Sequence, residues 1–130
     1  MTEPNWVLDE LVFSVHQMLL AEHGGGTGIR DKALLESALS RPKQRYKYEP
    51  KSTAFQLAAS YSFGLAKNHP FIDGNKRIAL AIGAVFLEIN GFTLNAPEAE
   101  AVIIFEQLAS SGIEEIELAN WFKSNSIPSA

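Results

Sequence analysis

The run Asn68-His69-Pro70-Phe71-Ile72-Asp73-Gly74-Asn75-Lys76-Arg77 leads without a break into Ile78-Ala79-Leu80-Ala81-Ile82-Gly83-Ala84-Val85-Phe86-Leu87. The second half decides the fold. Ile78, Ala81, Ile82, Val85, Phe86 and Ile89 keep a helical period, and nearly every position from Ile78 to Leu87 is apolar. A helix that is apolar all round belongs in an interior. The expectation is a central helix from Asn75 to Asn90, stopped by a left-handed turn at Asn90-Gly91. The apolar run is too short for the ~20 residues of a membrane span.

The flanking sequence supplies five more helices. Leu8, Leu11, Val12, Val15, Met18 and Leu19 form a stripe that predicts a helix from Asn5 to Glu22. Gly24-Gly25-Gly26 ends it. The following Thr27-Gly28 has no Lys-Ser/Thr ending and no preceding strand, so the glycine run reads as a plain connecting loop. Asp31 caps a second helix that Pro42 ends. Ser52 or Thr53 caps a third, Ala54 to Asn68. The last two run from Pro97 to Ala109, with Val102, Phe105 and Leu108 inward, and from Glu114 to Ser124, with Leu118, Ala119 and Phe122 inward. Between Pro42 and Pro50, Arg45-Tyr46-Lys47-Tyr48 alternates polar and aromatic, which predicts a short extended flap. The fold class is therefore all-α: a compact six-helix bundle with a short extended flap, one domain over residues 1–125 and a loose tail over residues 126–130.

Composition narrows the function classes. The chain has 130 residues, 46% hydrophobic and 20% charged, with no cysteine. Disulfide scaffolds, thiol chemistry and cysteine-ligated zinc are excluded. Met1-Thr2-Glu3-Pro4 lacks the basic head and apolar core of an export signal, so a cytoplasmic protein without membrane contact is expected. The net charge is −4. Arg41 to Lys51 holds five basic residues and one acid, which leaves −8 on the rest and disfavours direct nucleic-acid binding. His16 and His23 have no partner at ligand spacing and read as partly exposed helix residues.

The first half of the opening run carries chemistry. Pro70 biases His69 toward an extended conformation and ends the third helix. Phe71 and Ile72 can anchor the loop in the core. Asp73-Gly74-Asn75 is a turn, and the central helix starts at once, so its free amides point toward the His69 imidazole as an anion hole. Gly74 admits a phosphate close to the backbone. Lys76 and Arg77 put two cations in a first helical turn, where the helix dipole disfavours each by a few tenths of a kcal/mol. Such a local conflict is expected where function outweighs stability. Asp73 can hold Mg²⁺ with substrate phosphates, and His69 suits acceptance of a proton from a hydroxyl nucleophile. Taken singly, Asp73 reads as a helix cap, His69 as a loop histidine, and Lys76 and Arg77 as solvated cations. Seven such types in fixed order recur by chance on the order of once in a billion positions. Together they suit transfer of a phosphorus-centred group from a nucleotide.

His69-Pro70-Phe71-x-Asp73-Gly74-Asn75-Lys76-Arg77 resembles the signature of the Fic/Doc superfamily, its death-on-curing branch in particular. Leu35-Glu36-Ser37-Ala38-Leu39-Ser40-Arg41-Pro42 and the six-helix layout extend the resemblance over about Trp6 to Phe122. It implies His69 as catalytic base, Pro70 and Phe71 as support of the motif, and Asp73 as the Mg²⁺ carboxylate. Gly74 and Asn75 would form the anion hole, with Asn75 also bonding phosphate, and Lys76 and Arg77 would bind the phosphates of ATP. Arg45, Tyr46, Lys47 and Tyr48 would lie in a flap that holds the target peptide extended. The resemblance further implies a toxin of a toxin–antitoxin pair. Such a toxin phosphorylates elongation factor Tu or another translation protein and is silenced by a separately encoded Phd-like antitoxin.

Two departures separate the chain from the adenylylating branch. Lys76 stands where that branch has a second glycine, and Leu80 where it has a second arginine. Both favour γ-phosphoryl transfer over AMP transfer. No Glu-Gly or Glu-Asn pair exists to form a self-inhibiting helix. The competing readings are an AMP transferase, a catalytically silent module that binds an antitoxin, and a nucleic-acid binder using the basic segment.

Overall fold

In a computed structural model, which describes residues 2–129, the chain folds into α1 (Asp9–His23), α2 (Lys32–Tyr48), α3 (Ala54–Asn68), α4 (Asn75–Ile89), α5 (Glu98–Ala109) and α6 (Glu115–Ser124). Two short strands, β1 (Phe92–Leu94) and β2 (Ser126–Pro128), pair antiparallel with Thr93 opposite Ile127. The all-α expectation is met. No helix among the described residues is long and apolar enough to cross a membrane.

The most enclosed helix is α3. It packs against α2, α4, α5 and α6 and buries Leu57, Ala58, Ala59, Ser60, Tyr61, Ser62, Gly64, Leu65 and Ala66. Its small side chains let neighbours approach from every direction. A Cβ on Gly64 would lie 3.1 Å from the Ala38 Cα of α2. The start of α3 is fixed by a capping box: Thr53 Oγ1 accepts from Gln56 N, and Gln56 Oε1 accepts from Thr53 N. On α4 the apolar run is buried along one face, at Ile78, Ala79, Ile82, Gly83, Phe86 and Leu87, while Ile89 stays exposed. Ser62 Oγ donates to the Ala79 carbonyl at 2.6 Å and joins the two helices.

Four expectations are corrected. The first helix begins at Asp9, because Asn5 is engaged elsewhere. Its N–H donates to Asn90 Oδ1, its Nδ2 donates to the Ile89 carbonyl, and its carbonyl accepts from Asn90 Nδ2. This clasp ties residue 5 to the end of α4 and keeps it outside α1. Of the expected stripe only Val12 is buried. Leu8 and Met18 are exposed, and the inward line is Val12, His16, Leu20.

The second correction is the flap. Arg45, Tyr46, Lys47 and Tyr48 belong to α2, which runs straight through Pro42. An interior proline costs about 3 kcal/mol, and tertiary contacts override that preference. Arg41 and Arg45 both pair with Glu115 of α6. The Arg41 guanidinium also lies over the Phe63 ring, and Tyr46 meets Trp6 edge-on. The third correction is the tail, where residues 126–128 form β2 and Ser129 N donates to the Gly91 carbonyl. Fourth, Val102 of α5 is exposed and Ala101 takes its inward place.

The tightest fit is at Gly83. A Cβ there would lie 2.4 Å from Ser62 Oγ and 2.7 Å from Phe122 Cζ. Gly83→Ala should therefore destabilise the protein by about 1–3 kcal/mol, against the usual preference of a helix for alanine, and lower the midpoint of urea denaturation. An unchanged or raised midpoint would show that the α3–α4–α6 contact is looser than described.

Candidate active site

The site is built at the junction of α3 and α4. The third helix ends at Asn68 as expected, but His69 is left-handed (φ 49°, ψ 53°) and not extended. A non-glycine residue there is strained by about 1–2 kcal/mol, so something must hold it. Arg30 does so, donating from Nε to the His69 carbonyl at 2.6 Å and from Nη2 to the Asn68 carbonyl at 2.8 Å. The Pro70 carbonyl accepts from the backbone N–H groups of Arg30 and Asp31, and Ile72 N donates to the Gly28 carbonyl. Residues 28–31 thus run antiparallel beside the motif loop, with a single bridge between Ile29 and Phe71. The glycine run is therefore packed against the motif and does more than connect two helices. A Cβ on Gly25 would come within 2.7 Å of Asp73 Oδ2.

Phe71 is the anchor that the sequence suggests, at 2% exposure, whereas Ile72 points outward at 58%. Asn75, at the first position of α4, is buried and ties the loop together. Its Oδ1 accepts from Phe71 N at 3.0 Å, and its Nδ2 donates to the Phe71 carbonyl at 2.9 Å. The same Nδ2 lies 3.3 Å from His69 Nδ1. An amide nitrogen only donates, so Nδ1 accepts and the neutral ring carries its hydrogen on Nε2. Both protons of Nδ2 are then committed within the loop, which leaves the backbone N–H of Asn75 as its donor toward an anion.

Gly74 caps α4 with φ 77°, and no side chain hydrogen-bonds the amides of the first turn. A helix that starts this way presents unpaired N–H groups and a positive partial charge. Asp73 does not close it. Its Oδ1 accepts from the adjacent Gly74 N at 2.7 Å, and its Oδ2 lies 3.4 Å from Gly26 N. Lys76 and Arg77 follow on the exposed side, and neither is paired with a carboxylate among the described residues.

His69, Asp73, Gly74, Asn75, Lys76 and Arg77 all line one cavity of about 400 Å³. Ile72 of the loop, Leu80 of α4 and Ala101, Val102, Phe105 and Glu106 of α5 form the rest of its wall. The candidate residues of the motif are therefore brought together, within the volume range of small-molecule sites. Arg45, Tyr46, Lys47 and Tyr48 do not line it. A polyanion fits the open end of α4 and its two cations. No cluster of three or more His, Cys, Asp or Glu that could hold a metal occurs among the described residues. A cation at Asp73 would thus take most of its ligands from phosphate oxygens and water, which is how Mg²⁺ is commonly held.

Two contributors escape a reading of the sequence. Arg30 lies in what reads as a loop. His16, expected to be partly exposed, is 4% exposed. It stacks on the Phe71 ring with centroids 3.8 Å apart, and its Nε2 lies 2.8 Å from the Asp73 carbonyl. No local signal marks His16. The density of glycines from Gly24 to Gly28 is the one hint that another backbone approaches there.

The Fic/DOC family model matches residues 6–87, from the segment before α1 through most of α4. The sequence is 32% identical to the protein kinase Doc of Escherichia phage P1 over 90 residues, which is 68% of this chain and 71% of that protein. It is 40% identical to the toxin Doc of Mycolicibacterium smegmatis over 74 residues, 56% of this chain and 57% of that one.

Asn75 is the residue whose loss should disturb the loop most directly. Asn75→Ala leaves the N–H and carbonyl of buried Phe71 unpaired and should cost about 1–3 kcal/mol. Urea denaturation would measure the loss, and hydrogen exchange at the Phe71 amide should accelerate. Wild-type exchange at Phe71 would mean that Asn75 does not bind the loop.

Proposed function

The chain belongs to the Fic/DOC family, and we propose that within it this protein is a toxin kinase that moves the γ-phosphoryl group of ATP onto a serine or threonine hydroxyl of a translation protein. The observation that carries this reading is the sharing of one cavity by His69, Asp73, the open end of α4 and the cations Lys76 and Arg77, which pair with no carboxylate among the described residues.

The chemistry follows from those groups. The acceptor hydroxyl gives its proton to His69 as its oxygen bonds to the γ-phosphorus, and the bond between that phosphorus and the β–γ bridging oxygen breaks to leave ADP. The basic atom is Nδ1, whose 3.3 Å contact with Asn75 is long enough to be exchanged for a substrate hydroxyl. Lys76, Arg77 and the first-turn amides of α4 bear the charge on the phosphates. Asp73 would hold Mg²⁺, which when bound neutralises phosphoryl oxygens. Positioning and charge stabilisation supply most of the rate in such transfers, so a short loop suffices. The bulk of Lys76 and the apolar Leu80, both in the cavity wall, favour the γ over the α phosphorus. Elongation factor Tu is the proposed target, a separately encoded Phd-like antitoxin the proposed partner, and the cytoplasm the proposed site of action.

Incubation with translation factors and ATP labelled at either the α or the γ phosphorus tests the reading. Label should arrive from the γ position alone. Transfer should fall at least about 100-fold in His69→Ala and be lost in Asp73→Ala, with the circular dichroism of both unchanged. Label arriving only from the α position would replace the kinase with an AMP transferase. No growth arrest on expression, and no transfer to any protein, would leave a silent antitoxin-binding module.

A further inference from the structure

We propose that His16 is a positioning residue of this site, and that its Nε2–H, by holding the Asp73 carbonyl, keeps the amino end of α4 open. The proposal deepens the kinase reading and rests on it for its activity arm.

A buried imidazole is costly unless it is hydrogen-bonded. On α1 the other inward residues are Val12 and Leu20, so an aliphatic side chain would suit packing alone. His16 is instead 4% exposed, stacked on Phe71 and 2.8 Å from one carbonyl. A carbonyl only accepts, so Nε2 carries the hydrogen. The bonded carbonyl belongs to the Asp73–Gly74 peptide, the last one before the free amides of α4. Gly74, at φ 77°, has the freedom to let that peptide rotate. Aspartate is among the strongest helix-capping residues. A rotated peptide would let the Asp73 carboxylate swing over the first-turn amides and occupy the place of a phosphate. His16 favours the other arrangement. With the carbonyl held toward α1, the N–H of the same peptide faces back to Asp73 Oδ1 at 2.7 Å. The carboxylate is thereby turned away from the amides of Asn75, Lys76 and Arg77. The Phe71 stack fixes where the imidazole sits, and the hydrogen bond fixes which way the peptide faces.

Two variants separate these contributions. His16→Phe keeps an aromatic ring on Phe71 and loses the donor. His16→Gln loses the ring and keeps a donor that can reach the carbonyl. Binding of MgATP by calorimetry and the ¹⁵N–¹H signals of Gly74, Lys76 and Arg77 are read on each, together with kcat, the KM for the protein substrate and the Mg²⁺ concentration for half-maximal transfer. In His16→Phe, MgATP affinity and kcat should each fall at least about tenfold, the Mg²⁺ requirement should rise and the Gly74 amide signal should move. The KM for the protein substrate should stay unchanged. His16→Gln should recover most of these values even where its melting temperature is the lower of the two. Wild-type MgATP affinity and Gly74 shift in His16→Phe would overturn the proposal. So would equal loss in both variants in step with their melting temperatures, which is what a packing role gives. Absence of transfer by the wild-type protein would remove the kinase reading alone, since calorimetry and the amide signals still judge His16.

Discussion

The candidate site of this protein depends on a helix that begins without a side-chain cap. An ordinary α4 would place an aspartate or serine oxygen over its first amides and acidic residues in its first turn. Here Gly74 takes the capping position, and Lys76 and Arg77 follow in the first turn. Each cation opposes the dipole by a few tenths of a kcal/mol, and left-handed His69 adds local strain. A bound anion would offset all of these costs at once. On the proposed reading, the bare N-terminus of α4 is thus the origin of the chemistry.

An open helix end must be held open by its surroundings. The loop between α3 and α4 has no regular partner of its own, so its backbone groups are satisfied from outside. Arg30 takes the carbonyls of Asn68 and His69, residues 28–31 take those of Pro70 and the N–H of Ile72, and Asn75 takes both groups of Phe71. The Asp73 carbonyl goes to His16. Each end of the loop therefore answers to a different part of the chain, and the loop conformation is a tertiary property.

That division explains what can be read in the sequence. Elements with local signals are legible. The Thr53–Gln56 capping box starts α3, the Ile78–Leu87 run identifies α4, and the acidic start of α6 matches its Glu114–Glu117 capping box. The motif is legible as chemistry because its residues are contiguous. What fails is decided at long range. Pro42 reads as a helix end, yet Glu115 lies on another helix and braces both arginines around the proline. Asn5 reads as a helix start, yet Asn90 claims its backbone. His16 has unremarkable neighbours along α1, and its significance comes from a carbonyl 57 positions away. Propensity is a weak prior where such contacts compete with it.

The far end of α4 has a different character. The Asn5–Asn90 clasp, the β1–β2 pair and the bond from Ser129 N to the Gly91 carbonyl gather both extremities of the described chain around the last turn of that helix. Fifteen helical residues put roughly 22 Å between that turn and the cavity. Affinity handles, fluorophores or surface tethers joined at either extremity of the described chain would attach beside that turn, so immobilising the protein there would present the cavity outward to whatever flows past.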